Sequence, residues 1–145
     1  MLKVGDKAPN IRIGDFDLSK LKGKRVVLYF YPKADTPGCT VESCEFRDHV
    51  KDFAKKGAVV VGVSPDKADA QDKFKEKYDL PFEMVPDAEK EAAQAYGVWK
   101  EKNMYGRKVM GIERSTFVIG PDGKIEKIYG KVKAAGHAER VLQDL

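Results

Sequence analysis

The 145-residue sequence is poor in the residues that cross-link small proteins or bind metals, with only two cysteines and two histidines. A chain of this length can bury roughly 70% of the surface that its unfolded form exposes. It can therefore fold around a hydrophobic core without disulfide bonds or a structural metal. Internal repeats, low-complexity tracts and linker-like segments are also missing, which predicts a single domain over residues 1–145.

Long hydrophobic runs are absent as well. The longest apolar stretch without a charge covers the seven residues 26–32, whereas a transmembrane helix takes about 20. The first six residues lack the apolar segment of a signal peptide. We therefore expect a cytoplasmic protein with no membrane partner.

The sequence has no large excess of charge of one sign. The 27 lysines and arginines nearly balance 23 acidic residues, the net charge is +4, and the charges are interspersed. Its short basic clusters are typical of solvated helix ends and turns rather than of a nucleic-acid-binding surface. Neither a Gly-x-Gly-x-x-Gly motif nor a phosphate-binding loop occurs. We predict no nucleic-acid partner and no cofactor.

What is present predicts alternating strands and helices. Residues 26–31 and 58–63 are β-branched and aromatic, as expected of strands covered on both faces. Between them a helix is predicted from about 37 to 56, and Gly57 follows it as a left-handed cap. The apolar residues of this helix have i, i+4, i+7, i+8 spacing and are Phe46, Val50, Phe53 and Ala54. A βαβ unit of this length places its two strands parallel.

The second half of the chain continues this alternation. Further elements are predicted in chain order as a helix over 64–78, a strand over 82–85, a helix from 87 to 95, strands over 115–119 and 124–129, and a helix from about 134. The last two strands flank Pro-Asp-Gly and form an antiparallel hairpin. A βαβ unit followed by a hairpin and a terminal helix predicts an α/β, thioredoxin-like fold, with a central mixed β-sheet flanked by helices.

The segment 32–44, Pro-Lys-Ala-Asp-Thr-Pro-Gly-Cys-Thr-Val-Glu-Ser-Cys, carries the clearest chemical signal. Thr36 fits the N-cap position of a helix and Pro37 fits its first position. Cys39 then falls in the first helical turn, where free backbone N–H groups and the helix dipole favour an anion. This is the setting of a reactive thiolate, although a buried apolar thiol is the common alternative. Cys44 lies in the helix interior near the apolar stripe.

A helix terminus alone cannot ionise this thiol. It contributes about 0.3–1 kcal/mol, whereas a tenfold change in ionisation takes about 1.4 kcal/mol. A neighbouring cation must therefore supply the rest. Arg114, Lys33 and Arg47 are the candidates, and the residue pattern does not distinguish among them.

The same segment resembles the peroxiredoxins, whose motif Pro-x-x-x-Thr/Ser-x-x-Cys is matched by Pro32, Thr36 and Cys39. Within that family the sequence is similar to the bacterioferritin comigratory protein or peroxiredoxin Q group. The resemblance rests on residues 29–33 and 36–40, on the second cysteine five residues after the first, and on the stretches 5–9, 97–99, 114–117 and 121–124. Residues 9–21 form a shorter stretch than is usual in the group, so we expect a trimmed N-terminal hairpin.

The resemblance implies a thiol-dependent peroxidase that reduces hydrogen peroxide and organic hydroperoxides. Cys39 would be the nucleophile that becomes a sulfenic acid, and Cys44 would resolve it as an intramolecular disulfide. Thr36 would hold the peroxide or the thiolate, and Arg114 would stabilise the thiolate and polarise the peroxide. Pro32 would shield the sulfur from water. Thioredoxin or a similar dithiol would reduce the disulfide, and we expect a monomer.

Two other interpretations compete with this one. A thioredoxin-type disulfide reductase shares the fold and the cysteine position, but it normally uses Cys-x-x-Cys, and here four residues separate the cysteines. A metal-binding module would use Cys39, Cys44 and His49, with His137 as the remaining histidine. Five-residue intervals turn successive side chains about 140° around a helix, so these three would not share a face. We therefore predict no metal site.

Overall fold

The computed structural model describes residues 2–145, apart from the side chain of Met104. The strands in this part of the chain are β1 (Arg12–Ile13), β2 (Phe16–Asp17), β3 (Arg25–Phe30), β4 (Ala58–Ser64), β5 (Glu83–Pro86), β6 (Trp99–Met104), β7 (Arg107–Ile112), β8 (Ser115–Ile119) and β9 (Ile125–Tyr129). The helices are α1 (Pro37–Asp48), α2 (Val50–Lys55), α3 (Ala68–Lys77), α4 (Glu91–Ala95) and α5 (His137–Asp144).

A five-stranded mixed sheet of order β5-β4-β3-β8-β9 forms the centre of the molecule. β3 runs parallel to β4, with Val27 opposite Val60, and antiparallel to β8, with Val27 opposite Val118. The hairpin of β8 and β9 turns at Gly123, which has a φ of +85°. The predicted βαβ unit, the C-terminal hairpin and the thioredoxin-like fold class are confirmed.

Alternate residues of β3 point to opposite sides of the sheet, and those on both sides are apolar and buried. Helices therefore cover both faces of the sheet. On one side Val27 and Tyr29 pack with apolar residues of α1, α2, α3 and α5. On the other side Leu28 and Phe30 pack with α4 and with the N-terminal segment that contains the short β1–β2 hairpin. Cys39 belongs to the first of these two clusters, so α1 presents it towards the sheet.

The predicted helix over 37–56 is wrong in one respect, because the chain breaks at His49 into α1 and α2. Phe46 and Phe53 are buried as expected, and their ring centroids lie 5.8 Å apart. Ala54, however, is exposed. Adjacent helical residues lie about 100° apart, so with Phe53 directed into the core its neighbour faces solvent.

Other boundaries also differ from the predicted ones. α3 begins at Ala68 rather than at 64, because Ser64 ends β4 and Asp66 uses its carboxylate to accept a bond from the Ser64 hydroxyl at 2.6 Å. α4 is only five residues long and its N-cap residue is Lys90 rather than Asp87, although the Asp87 carboxylate accepts bonds from the amides of Ala92 and Ala93 in the first turn. α5 begins at residue 137 rather than at about 134.

The hairpin of β6 and β7 was not predicted at all. Charged residues interrupt the alternating pattern of both strands, and the turn uses Tyr105 and Gly106 in the left-handed region. Glycine favours that region, whereas tyrosine does not. None of the helices described within residues 2–145 has the length and apolar character needed to cross a membrane.

Candidate active site

The loop after β3 delivers Cys39 to the first turn of α1. Thr36 is the N-cap residue, with an extended backbone, and Pro37 occupies the first helical position. The Thr36 side chain does not cap the helix, because its hydroxyl instead donates a bond to the carbonyl of Lys33 at 2.8 Å. The predicted helix start is confirmed, and the N–H groups of the first turn have no capping side chain at residue 36.

The loop between β3 and α1 is tied to the start and the end of α3. The Asp66 carboxylate accepts a bond from the backbone N–H of Ala34 at 2.7 Å. Asp35 forms an ion pair with Lys77 at 3.0 Å and accepts a bond from the Tyr78 hydroxyl at 3.1 Å. These contacts fix the loop that carries Thr36 and precedes Cys39.

Arg114 is the cation that contacts Cys39. Its Nη2 lies 3.3 Å from the Cys39 Sγ, and Cys39 is only 1% exposed. Arg47 instead donates to the carbonyl of Tyr78, and Lys33 is exposed. Of the three candidates in the sequence, the structure therefore brings Arg114 to the sulfur.

The residue beside Cys39 leaves room for this approach. A Cβ atom at Gly38 would lie 3.2 Å from the Arg114 Nη2, and both of the atoms that it would meet within 4 Å belong to Arg114. Gly38 does not adopt a left-handed backbone. The missing side chain thus matters here for space rather than for conformation.

Glu42 completes a buried charged cluster that the sequence analysis did not identify. Its Oε1 accepts a bond from the Arg114 Nη1 at 2.6 Å, its side chain is fully buried, and its Oε2 has no partner among the described residues. Burial raises the pKa of Glu42 to about 7, against the opposing effect of the Arg114 charge. Glu42 follows Cys39 by three residues, and this spacing on a helix is the signal that could have identified it.

The Arg114 guanidinium thus binds two groups of the same helix face. Nη1 contacts the carboxylate of Glu42, and Nη2 contacts the sulfur of Cys39. The planar fork of arginine suits two such acceptors, whereas the ammonium of lysine has no comparable geometry. A cation next to a sulfur in a first helical turn is an arrangement that stabilises a thiolate.

Cys44 lies in the middle of α1, half-buried, and both cysteines are free thiols. Burial, with a smaller contribution from Asp48, raises the pKa of the Cys44 thiol, and Arg47 opposes this rise. Residues five apart on a regular helix have Cα atoms roughly 8.6 Å apart, whereas a disulfide needs about 7 Å or less. The two cysteines therefore cannot bridge while α1 is intact.

A groove of about 360 Å³ lies beside Pro32, between the loop after β3 and the β6–β7 hairpin. Its lining combines apolar side chains, such as Trp99 and Met110, with lysines, such as Lys102. Burial and the charge of Arg114 both lower the pKa of Lys102, which places this lysine in the electrostatic surroundings of the site. Pro32 is half-buried at the edge of this groove.

The residues considered for a metal site are not brought together. Within residues 2–145 no three potential ligands from His, Cys, Asp and Glu lie close enough to hold an ion. His49 lies 3.4 Å from Asp52, and His137 is buried with its Nε2 at 2.7 Å from the Thr116 hydroxyl. Burial lowers the pKa of His137 to about 4.

Comparison with known proteins identifies a family and several relatives to which this chain is similar. Residues 4–128 match the AhpC/TSA family. Peroxiredoxin Bcp of Bacillus subtilis is 48% identical over 149 residues, which cover 99% of this chain and 95% of that relative.

Solved structures show the same similarity. A mutant of PrxQ from Xylella fastidiosa has a TM-score of 0.91 and 38% identity, over 99% of this chain and 95% of that one. The Xanthomonas campestris bacterioferritin comigratory protein, whose structures concern its alkyl peroxide reduction activity, has a TM-score of 0.85 and 43% identity, over 89% and 82% of the two chains.

Proposed function

Because the chain belongs to the AhpC/TSA family, within the bacterioferritin comigratory protein or peroxiredoxin Q group, it is a peroxiredoxin, and we propose that it reduces hydrogen peroxide and organic hydroperoxides through Cys39 and Cys44. The observation that carries the proposal is the 3.3 Å contact between the Arg114 Nη2 and the Cys39 Sγ in the first turn of α1. The reductant is thioredoxin or a similar dithiol.

In the first step the Cys39 thiolate attacks one peroxide oxygen. An S–O bond forms and the O–O bond breaks, so that sulfur is oxidised to a sulfenic acid and the leaving oxygen takes a proton to become water or an alcohol. A hydrogen bond from a charged donor contributes about 1.5–3 kcal/mol. This exceeds the 0.3–1 kcal/mol of a helix terminus, so Arg114 supplies the larger part of the thiolate stabilisation.

Thr36 and the backbone orient the peroxide. The Thr36 hydroxyl hydrogen is engaged by the Lys33 carbonyl, which leaves the oxygen of the hydroxyl as an acceptor for the peroxide O–H. The backbone N–H of Cys39, in the uncapped first turn, is a donor for the reacting oxygen. Pro32, at the edge of the groove, limits access of water to the sulfur.

The second step uses Cys44. Its thiol attacks the sulfenic sulfur of Cys39, a disulfide forms and water leaves. The external dithiol then exchanges with this disulfide and restores both thiols. The distance across an intact α1 means that the first turns of this helix must unwind between the two steps.

The same proposal covers the setting of the enzyme. Residues 1–145 act as one domain and as a monomer. The enzyme acts in the reducing cytoplasm, in which thioredoxin and glutathione keep cysteines reduced.

A peroxide-consumption assay with thioredoxin and its reductase tests the proposal. Cys39→Ser is expected to abolish peroxide reduction. Cys44→Ser is expected to retain one rapid oxidation per molecule and then to stall in thioredoxin-coupled turnover. Full thioredoxin-dependent turnover of Cys44→Ser would show that Cys44 is not the resolving residue.

A further inference from the structure

The residue that follows Cys44 joins α1 to α5. Both oxygens of the Glu45 carboxylate accept bonds from the backbone N–H of Gly136, at 3.0 and 3.1 Å. Gly136 is the N-cap of α5 and has a φ of +80°, so its own position offers no side chain to cap the helix. A carboxylate at this end also interacts favourably with the dipole of α5. Glu45 therefore acts on α5 as a cap supplied by another helix.

The next residue strengthens the same junction. The ring of Phe46 meets the edge of the His137 ring, with centroids 5.9 Å apart, and Phe46 is fully buried. His137 is itself fixed by its bond to Thr116 of β8. The two residues directly after Cys44 therefore hold α1 against α5, whereas the contacts of Cys39 with Arg114 lie at the other end of the helix.

The junction exists only while α1 is folded. For a disulfide to form, the Cα atoms of Cys39 and Cys44 must approach from roughly 8.6 Å to about 7 Å or less, through movement of one cysteine or of both. When Cys44 takes part in this movement, Glu45, the next residue in the chain, moves with it, and a shift of about half an ångström takes its 3.0 Å bond to Gly136 beyond hydrogen-bond range. An interaction made in one of two states shifts the equilibrium towards that state. The bonds between Glu45 and Gly136 therefore oppose the opening of α1.

We propose that Glu45 is a positioning residue that latches α1 on α5 and sets the rate at which Cys44 reaches the oxidised Cys39. This inference rests on the proposed resolution through Cys44. While the latch is closed, the sulfenic acid stays exposed to a competing reaction, in which a second peroxide transfers an oxygen to sulfur, its O–O bond breaks, and a sulfinic acid and an alcohol or water result. Glu45 thereby controls which fraction of the Cys39 sulfenic acid forms the disulfide and which fraction is overoxidised to sulfinic acid.

Two substitutions separate the latch from the charge of Glu45. Glu45→Ala removes both the charge and the acceptor, and alanine has at least the helix propensity of glutamate, so an opening of α1 would not come from a weaker helix former. Glu45→Gln removes the charge but keeps one acceptor for Gly136. The matched control is Glu139→Ala, because Glu139 is exposed in the first turn of α5 and its side chain makes no hydrogen bond within residues 2–145.

The experiment follows the reduced enzyme after rapid mixing with hydrogen peroxide. Acid-quenched, alkylated samples are analysed by mass spectrometry for sulfenic acid, disulfide and sulfinic acid. Glu45→Ala should oxidise Cys39 at the wild-type rate but form the disulfide roughly two- to fivefold faster, with a correspondingly smaller sulfinic fraction. Glu45→Gln should lie between wild type and Glu45→Ala, and Glu139→Ala should match wild type.

Amide exchange of the reduced enzyme provides a direct measurement of the contact. The Gly136 amide should exchange faster in Glu45→Ala than in wild type and Glu139→Ala. A wild-type rate of disulfide formation in Glu45→Ala, equal rates in the Gln and Ala variants, or unchanged Gly136 exchange would each overturn the latch while leaving the peroxidase proposal intact. A wild-type enzyme that forms no bond between Cys39 and Cys44 would instead overturn the proposed resolution, and the latch with it.

Discussion

Replacing Arg114 tests the central contact of the site most directly. The Arg114 Nη2 donates to the Cys39 Sγ at 3.3 Å, and Cys39 is only 1% exposed. Loss of a charge-assisted hydrogen bond of about 1.5–3 kcal/mol corresponds to a roughly ten- to hundredfold change in a rate constant, since about 1.4 kcal/mol is one factor of ten. Arg114→Ala should therefore react with hydrogen peroxide at least tenfold more slowly at pH 7.

The assay is the rate of the first oxidation by hydrogen peroxide after rapid mixing, measured in a Cys44→Ser background so that Cys39 alone reports. Arg114→Ala also strands the buried carboxylate of Glu42, which loses its 2.6 Å partner. The double variant Arg114→Ala with Glu42→Gln removes this second effect, because a neutral amide replaces the unpaired carboxylate. The double variant should also react at least tenfold more slowly than wild type, which would assign the loss to the Arg114–Cys39 contact.

Arg114→Lys separates charge from geometry. Lysine keeps the positive charge but cannot present two donors in one plane to Cys39 and Glu42. Its rate with peroxide should lie between those of wild type and Arg114→Ala. Equal rates in wild type and Arg114→Ala would refute the role of Arg114 and direct attention to Lys33 or Arg47.

Three further predictions concern α1 and the buried ionisable groups. Formation of the disulfide should lower the far-UV helical signal and speed amide exchange over residues 39–47, and identical exchange in the reduced and disulfide forms would rule out unwinding. Burial raises the pKa of Glu42 from 4.5 to about 7, so this group stabilises the fold below about pH 4.5 and its contribution is lost as the pH rises to 7. Between these pH values the thermal stability of Glu42→Gln should therefore decline less than that of wild type. The same decline in both proteins would contradict the assignment. Burial lowers the pKa of His137 from 6.5 to about 4, so the protein should lose stability as the pH falls from 6.5 towards 4. The free energy of unfolding, measured in urea, should fall less over that interval in His137→Gln than in wild type. An equal fall would show that another group titrates.

The central strands could be predicted because strands that are buried on both faces have continuous apolar sequences. β3 and β4 are covered on both faces, and the turn between β8 and β9 has residues with a defined conformational role. The β6–β7 hairpin has no such signal, since its strands carry charged side chains and, in the described part of the chain, pair only with each other. The break at His49 was missed for a different reason, because the apolar spacing continues across it.

The site divides in the same way between local and distant information. Thr36 and Cys39 are neighbours in sequence, so a helix start predicts their relationship. Arg114 reaches Cys39 only through the register of the sheet, in which Ser115 lies opposite Phe30. This register places the residue before β8 beside the loop that follows β3. Residue spacing within one segment contains no information about that strand pairing. The choice of Arg114, Lys33 or Arg47 as the cation beside Cys39 could therefore be made only from the fold.

In the proposed mechanism, the chemistry of the first step also helps to release α1 for the second. In the reduced enzyme, unwinding α1 separates the Cys39 thiolate from Arg114 and sacrifices a charge-assisted bond. In the proposed mechanism oxidation converts that thiolate into a neutral sulfenic acid, which accepts a weaker bond from the same guanidinium. Unwinding therefore costs less after peroxide has reacted than before, so the helix stays folded while it must activate Cys39 and opens more readily when Cys44 is needed.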